Sequence, residues 1–296
     1  MNYEKLRPYQ LEDANFLAQL DACACFNEQR TGKTPTALYV CELKNIKKLL
    51  IVCPATAIYP WIDAIEFWSG KPALAYTGTR DRRKRLLKKW EYALVASYDT
   101  LKQLDEGSKK EIYQLLAQKP DGIIIDEAHR IGHHDTERSK AMFAVRTKIP
   151  FRLALTGSPA IGLSKDVWGI LHFLYPKTFG SYWKFIGQFY KTWESFGFGG
   201  RKFQEIGEMR PEMIPVMQGI LKRISTQRKR ADVMAWLPPK DRQLVRLPMT
   251  ADQQRYIHDL DTIWEADHVV TMGTLDRIMR KRQILLDPGI LNLKGG

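Results

Sequence analysis

Phe26-Asn27-Glu28-Gln29-Arg30-Thr31-Gly32-Lys33-Thr34 and, downstream, Ile123-Ile124-Ile125-Asp126-Glu127-Ala128-His129 decide how this chain is read. Residues 23–26 read as a strand, 27–32 as a loop and Lys33 onward as a helix, the setting that a phosphate-holding loop needs. Backbone N–H groups at a helix N-terminus point toward an anion, and the helix dipole favours negative charge there. Thr31-Gly32-Lys33-Thr34 is therefore expected to hold the phosphates of a nucleotide. Lys33 would reach the β- and γ-phosphates, and the Thr34 hydroxyl would ligate magnesium. Asn27 stands where the G-x-x-x-x-G-K-[ST] pattern has its first glycine. Asn tolerates left-handed backbone angles, so the loop is still expected to form. The second run reads as a buried strand that delivers Asp126 to a sheet edge to hold the metal. Glu127 beside it can orient and deprotonate an attacking water. Lys33, Asp126 and Glu127 are the predicted catalytic set of an ATP–magnesium site.

Around these segments, short apolar strands alternate with longer amphipathic stretches from Leu20 to about Pro159. The strand candidates are 22–26, 49–53, 93–96, 122–125 and 152–155. Several are continuous apolar runs, as expected for strands covered on both faces. The pattern predicts an α/β fold with a mostly parallel sheet and its functional groups at the strand C-termini. From Val167 to Phe203 the chain is rich in aromatic residues at spacings compatible with packed helices. Residues 195–200 read as a flexible turn, Pro238-Pro239 breaks the following helix, 243–247 alternates like a strand, and 252–282 looks helical.

The chain has 296 residues, enough for a large core and about two domains by a length prior. No apolar run approaches the roughly 20 residues of a membrane span, and the N-terminus lacks the layout of a signal peptide. Cys23, Cys25, Cys41 and Cys53 read as buried thiols rather than a disulfide frame or zinc pattern, which fits a reducing, cytoplasmic setting. Formal net charge is +13, an excess that favours a polyanionic partner. It is concentrated in Arg80–Lys89, in Lys222–Arg230 and in Arg277–Arg282; each cluster could equally be a solvated helix face. His133 and His134 read as surface residues of a polar turn.

At this point a resemblance is plain. The chain resembles the first motor lobe of a superfamily 2 helicase or translocase, specifically of the Swi/Snf branch. Leu6-Arg7-Pro8-Tyr9-Gln10 is similar to that branch's adenine-reading motif, which implies nucleotide contacts from Arg7 and Gln10. Ile51-Val52-Cys53-Pro54-Ala55 with Trp61, and Ala96-Ser97-Tyr98-Asp99-Thr100, look like its two nucleic-acid-facing motifs. They imply backbone contacts from Pro54, Ala55, Ser97 and Tyr98, with Arg80 nearby; such contacts carry no sequence preference. Asp126-Glu127-Ala128-His129 resembles the acidic box and Leu155-Thr156-Gly157-Ser158-Pro159 the coupling motif, so that His129, Thr156 and Ser158 would link nucleotide state to the track. Arg228-Lys229-Arg230-Ala231-Asp232-Val233 with Leu237-Pro238-Pro239-Lys240, and residues 283–288, also match stretches typical of the branch. Arg30 departs from it, standing where relatives commonly carry glycine.

The resemblance implies a RecA-like lobe over residues 1–165, a helical insertion over 166–240, and a return strand and helices over 241–296 leading toward a second lobe. It implies ATP and magnesium as cofactors, double-stranded DNA or another nucleic acid as partner, and no membrane. Motors of this superfamily hydrolyse ATP between two lobes, so a second RecA-like lobe, in cis or in trans, is expected to complete the site. Residues 1–296 alone are expected to turn over slowly. Other readings are a strand-separating helicase of the same superfamily, a non-catalytic module that binds nucleic acid or a partner protein, and a P-loop ATPase that packages or cuts DNA. Compactness hints at a bacterial or viral source.

Overall fold

Ala22-Cys23-Ala24-Cys25 and Leu49-Leu50-Ile51-Val52-Cys53 carry no polar side chain other than thiols, and such strands persist where both faces are covered. They form β1 (Ala22–Cys25) and β2 (Leu49–Cys53) in the computed structural model, which describes residues 1–102, 111–145, 148–157, 164–196, 202–234, 243 and 245–293. β3 (Ala73–Ala75), β4 (Ala93–Ser97), β5 (Gly122–Ile125) and β6 (Phe151–Leu155) follow. β7 (Tyr190–Phe196) and β8 (Lys202–Met209) make a separate antiparallel hairpin, and β9 (Ser225–Thr226) returns to the main sheet. Among the described residues that sheet has seven strands in the order β3-β4-β2-β5-β6-β1-β9, and all of their pairings are parallel. The C-terminal ends of β1, β2, β4, β5 and β6 therefore share one edge.

Side chains alternate across this sheet and feed two separate cores. Leu50, Val52, Ile123 and Ile125 enter one, while Leu49, Ile51, Cys53 and Ile124 enter the other. The second core is closed by α1 (Pro8–Ala18), α2 (Lys33–Leu43) and α3 (Ile58–Ser69), through Leu17, Leu38 and Ile65 among others. The first is closed by α4 (Arg80–Lys88), α5 (Tyr98–Leu101), α6 (Ile112–Leu116), α7 (Glu137–Phe143), α8 (Val167–Leu174), α9 (Tyr182–Phe189) and α10 (Ile214–Ile224). Fully burying one such aliphatic side chain is worth about 1.5–3 kcal/mol, so the fold rests on this double layer.

The aromatic stretch is mostly core. Trp168, Phe173, Phe185, Phe189 and Tyr190 are buried, and Phe143, Trp168 and His172 pack ring against ring. Helical spacing carries only part of it, because residues 190–196 form β7 of the hairpin. Of the expected 195–200 turn, Ser195 and Phe196 lie within β7, and 197–200 fall outside the described residues. His134 is half-buried and stacks on Tyr182 with ring centroids 4.0 Å apart, so it is less a surface residue than its polar turn implies.

The basic helix α4 is also partly structural. Arg83 is buried, its Nε donating to Glu111 Oε1 at 2.9 Å, and Tyr76 donates its hydroxyl to the same oxygen at 2.7 Å. One of the charges in the 80–89 cluster is therefore neutralised within the fold.

The chain divides into two compact units, Met1–Leu237 and Pro238–Gly296. After β9, the first unit has a short helix, α11 (Arg230–Val233). The second contains α12 (Ala251–Thr262), a two-stranded hairpin of β10 (Glu265–Ala266) and β11 (Val269–Val270), and α13 (Thr274–Leu286), around Tyr256, Leu260 and Ile284. The helical reading of 252–282 is interrupted because Trp264 and Asp267 adopt φ of 64° and 49°, angles no right-handed helix accommodates. Residues 243 and 245–250 carry no regular element, 241, 242 and 244 lie outside the described residues, and β9 is a strand that joins the main sheet late in the chain. Its hydrogen-bonding partners are backbone groups of β1, which side-chain alternation does not reveal. Among the described residues, no helix is long and apolar enough to cross a membrane.

Candidate functional site

β1 delivers the chain into the 26–32 loop, and α2 starts at Lys33. The loop turns through two left-handed residues, Arg30 at φ 66° and Gly32 at φ 81°; Asn27 is not among the positive-φ residues. The conformational burden expected of Asn27 thus falls on Arg30, at a cost of about 1–2 kcal/mol for a residue with a side chain. Asn27 is instead buried, donating its amide Nδ2 to Asp13 Oδ2 at 2.7 Å.

Gly32 has a second reason to be glycine. A Cβ there would stand 2.1 Å from Gln10 Nε2, which donates to the Thr31 carbonyl at 3.1 Å. Gln10 Oε1 accepts from the Arg7 amide at 2.8 Å, and Tyr9 donates its hydroxyl to the Thr31 carbonyl at 2.8 Å. The 7–10 segment is thereby laid against the loop, with Arg7 exposed at its end. Thr31 is buried and donates its hydroxyl to the Glu28 carbonyl at 2.7 Å.

Lys33 curls back over this loop. Its Nζ donates to the carbonyls of Asn27 and Glu28 at 3.0 and 3.1 Å. A side chain on Gly157 would come within 3.1 Å of the same Nζ and 3.2 Å of the Gln29 amide nitrogen. The missing Cβ at Gly157 leaves a cradle between β6 and the loop. Thr34 is half-buried in the first turn of α2.

Asp126 follows β5 with both carboxylate oxygens oriented. Oδ2 accepts from Trp61 Nε1 at 2.9 Å, and Oδ1 accepts from the Glu127 amide at 2.9 Å. A carboxylate has about four lone-pair sites, so acceptor capacity remains on both oxygens. Glu127 sits at φ 49°, a left-handed position that carries strain in a residue other than glycine. His129 Nδ1 lies 3.3 Å from Glu127 Oε2 and 3.2 Å from Thr156 Oγ1, so it stands between the acidic pair and the end of β6. Ser158 lies outside the described residues.

β6 separates β1 from β5, so the loop and the acids are two strand steps apart, roughly 10 Å, on the same edge. The donor set is a hydroxyl and a carboxylate, hard oxygens of the kind magnesium takes. Lys33, the Gly157 cradle and the amides of the loop suit the phosphates beside it.

The residues expected to face a nucleic acid divide. Pro54 and Ala55 follow β2 in a short turn and remain accessible, Pro54 partly buried and Ala55 exposed. Arg80 is half-buried at the start of α4. Ser97 and Tyr98 correct the expectation, for both are turned inward. Ser97 caps α5, its Oγ accepting from the Thr100 amide at 3.1 Å. Tyr98 is buried and donates its hydroxyl to the Asp126 carbonyl at 2.7 Å. Burial, and then the negative charge of Asp126, raise the Tyr98 phenol well above its usual range, which keeps it a donor. The same two causes push the Cys53 thiol up to about 12; all four cysteines are free and buried.

Two contacts go beyond the sequence motifs. Trp61 belongs to a motif, but nothing in that motif makes it the partner of Asp126. Asp13 stands in no motif, and Arg228 opens a stretch typical of the branch that does not name its partner, yet the two meet. A helical period does place Asp13 on the buried face of α1 with Gln10, Ala14 and Leu17. A carboxylate on a core face needs a partner, and that is the signal by which the pair could be sought.

A family model described as SNF2-related domain matches residues 9–290. The ISWI chromatin-remodeling complex ATPase CHR17 of Arabidopsis thaliana is 27% identical over 262 residues, covering 85% of this chain and 23% of that protein. Chromodomain-helicase-DNA-binding protein 7 of Homo sapiens is 26% identical over 279 residues, covering 86% of this chain and 8% of its own length. The chain thus spans less than a quarter of these curated relatives. Among solved structures, the Sulfolobus solfataricus SWI2/SNF2 ATPase core in complex with dsDNA is similar with a TM-score of 0.62 at 21% identity, over 98% of this chain and 60% of that one. That likeness shows a shared fold.

Proposed function

The chain belongs to the SNF2-related domain family, and from that premise we propose that it is the first motor lobe of an ATP-dependent translocase on double-stranded DNA. One observation carries the reading. Lys33, the Gly157 cradle, Thr156, His129, Glu127 and Asp126 follow one another along a single sheet edge, each adjacent to the next in sequence or in contact with it.

In this reading Lys33 exchanges its two loop carbonyls for the β- and γ-phosphates, and the loop amides take the remaining phosphate oxygens. Gln10 and Arg7 face the base. Thr34 and Asp126 would hold magnesium, which when bound would neutralise phosphate charge. Glu127 orients the attacking water and accepts its proton. His129 relates Glu127 to Thr156, and Ser158 belongs to the same coupling segment. Pro54, Ala55 and Arg80 contact phosphates of the duplex, and Ser97 and Tyr98 support that surface from beneath. The duplex carried by the Sulfolobus ATPase core supports double-stranded DNA as the track. A second lobe, in cis or in trans, completes the site; the chain's 60% coverage of that structure leaves room for one. The buried free cysteines suit a reducing compartment.

Lys33→Ala tests the reading directly. It is expected to weaken ADP or ATP binding by at least about tenfold, the scale of a charge-assisted contact, and to bring hydrolysis to background. Equal nucleotide affinity in variant and parent would remove the loop from the site.

Trp61→Phe tests the orientation of Asp126. It keeps the ring in the α3 core and deletes the indole N–H, so one oxygen of Asp126 loses its fixed donor. The magnesium concentration giving half-maximal hydrolysis is expected to rise by about 3–10-fold, with the melting temperature nearly unchanged. An unaltered magnesium dependence would assign Trp61 to packing.

A further inference from the structure

α1 turns Gln10, Asp13, Ala14 and Leu17 to the interior. Asp13 is 1% exposed, and a carboxylate that deep is tolerated when both oxygens are satisfied. Its Oδ2 accepts from Asn27 Nδ2 at 2.7 Å and its Oδ1 from Arg228 Nε at 2.9 Å. The Arg228 fork also donates to Glu12 Oε2 at 3.0 Å.

The backbone reinforces the same junction. Phe26 N donates to the Thr226 carbonyl at 2.8 Å and Glu28 N to the Arg228 carbonyl at 3.0 Å, so β1–β9 pairing continues into the loop. Arg230 N donates to Glu28 Oε2 at 2.7 Å. Residues 226–230 are thus strapped along Phe26–Glu28. The carbonyls of Asn27 and Glu28 are also the ones on which Lys33 rests.

We propose that Asp13 and Arg228 are positioning residues for the phosphate-binding loop: through Asn27 they fix the loop segment that sets where Lys33 and the loop amides stand. The inference rests on the nucleotide reading of that loop. A glycine at the loop's first position would let the backbone find its phosphate-bound shape freely. Here Asn27 stands there without left-handed angles, and its geometry is imposed from outside by a buried carboxylate and a distant arginine. Charge-assisted hydrogen bonds in a desolvated setting are strong enough to impose it.

The test measures the full chain's affinity for a fluorescent ADP with magnesium, and KM and kcat for ATP. Arg228→Ala is expected to weaken affinity and raise KM by about tenfold, with kcat within about twofold. Asp13→Asn, nearly isosteric, gives the same direction and serves if Arg228→Ala fails to fold. Arg228→Lys restores charge without the fork and recovers part of the loss. Because Asn27 is the relay, Arg228→Ala in an Asn27→Ala background is expected to cost less than about twofold more. Unchanged affinity in both single variants overturns the proposal, as do losses that simply multiply in the double variant. Lys33→Ala separates the two levels: if it abolishes binding while Arg228→Ala and Asp13→Asn do nothing, only the brace is wrong. If Lys33→Ala binds like the parent, the underlying nucleotide reading is wrong.

Discussion

Glu127→Gln is expected to lower ATP hydrolysis by about 10²–10⁴-fold, the usual contribution of a positioned general base, while leaving nucleotide affinity within about twofold. The substitution keeps size and hydrogen-bonding reach but removes the basic carboxylate. In the proposed reading affinity is spared because Lys33 and the loop would hold the phosphates, and Asp126, oriented by Trp61 and the residue-127 amide, keeps its own charge. The backbone at residue 127 is already left-handed at φ 49°, an arrangement that costs about 1–3 kcal/mol and tends to persist where function demands it. Gln tolerates that angle no better or worse than Glu, so a fall in rate reports chemistry rather than refolding. Phosphate release and equilibrium nucleotide binding, measured side by side, decide the matter. A rate equal to the parent's removes Glu127 from the reaction, and a parent with no ATPase to lose, even with DNA and a second lobe, favours a pure binding module.

The second large effect concerns the other half of the site. Supplying a second RecA-like lobe, fused or in trans, is expected to raise kcat of the 296-residue chain by about 10³–10⁵-fold, the range attributed to an arginine that stabilises the transferring phosphoryl group. Replacing that lobe's arginine by alanine should return the rate to its starting level without dissociating the lobes. A vigorous DNA-stimulated ATPase from these residues alone would contradict the two-lobe reading. It would also require an arginine from this chain at the phosphates, and Arg30, left-handed in the loop, would be the first to examine.

What could be read ahead of the fold follows from how each feature is encoded. β2 and β5 are legible because a strand feeding two cores must be apolar at every position, and 49–53 and 122–125 are. β3 and β9 are not, being three and two residues long and held by backbone pairing. The β7–β8 hairpin is hidden by aromatic residues whose spacing also suits a helix. In the candidate site, the placement of Lys33 at the start of α2 and of Asp126 and Glu127 just past β5 is legible because their order and setting are local. Tyr98 misleads because the direction of a side chain just past a strand is set by its neighbours; here the Asp126 carbonyl captures the phenol. Asp13 and Arg228 lie 215 residues apart, and pairwise partnership over that distance leaves no local mark.

The sheet order also governs how the protein comes into being on the ribosome. β1 emerges early but lies between β6 and β9. At about 5–20 residues per second, its β6 neighbour, about 130 residues later, arrives some 7–26 seconds after it. The residue that pairs with Cys25 from β9 follows about 200 residues on, roughly 10–40 seconds after β1. Until β6 arrives an apolar ribbon waits unpaired on both sides, and until β9 arrives on one, a natural target for chaperones and for self-association during expression. Lower growth temperature, which slows misassembly, is therefore the sensible way to produce this protein in quantity.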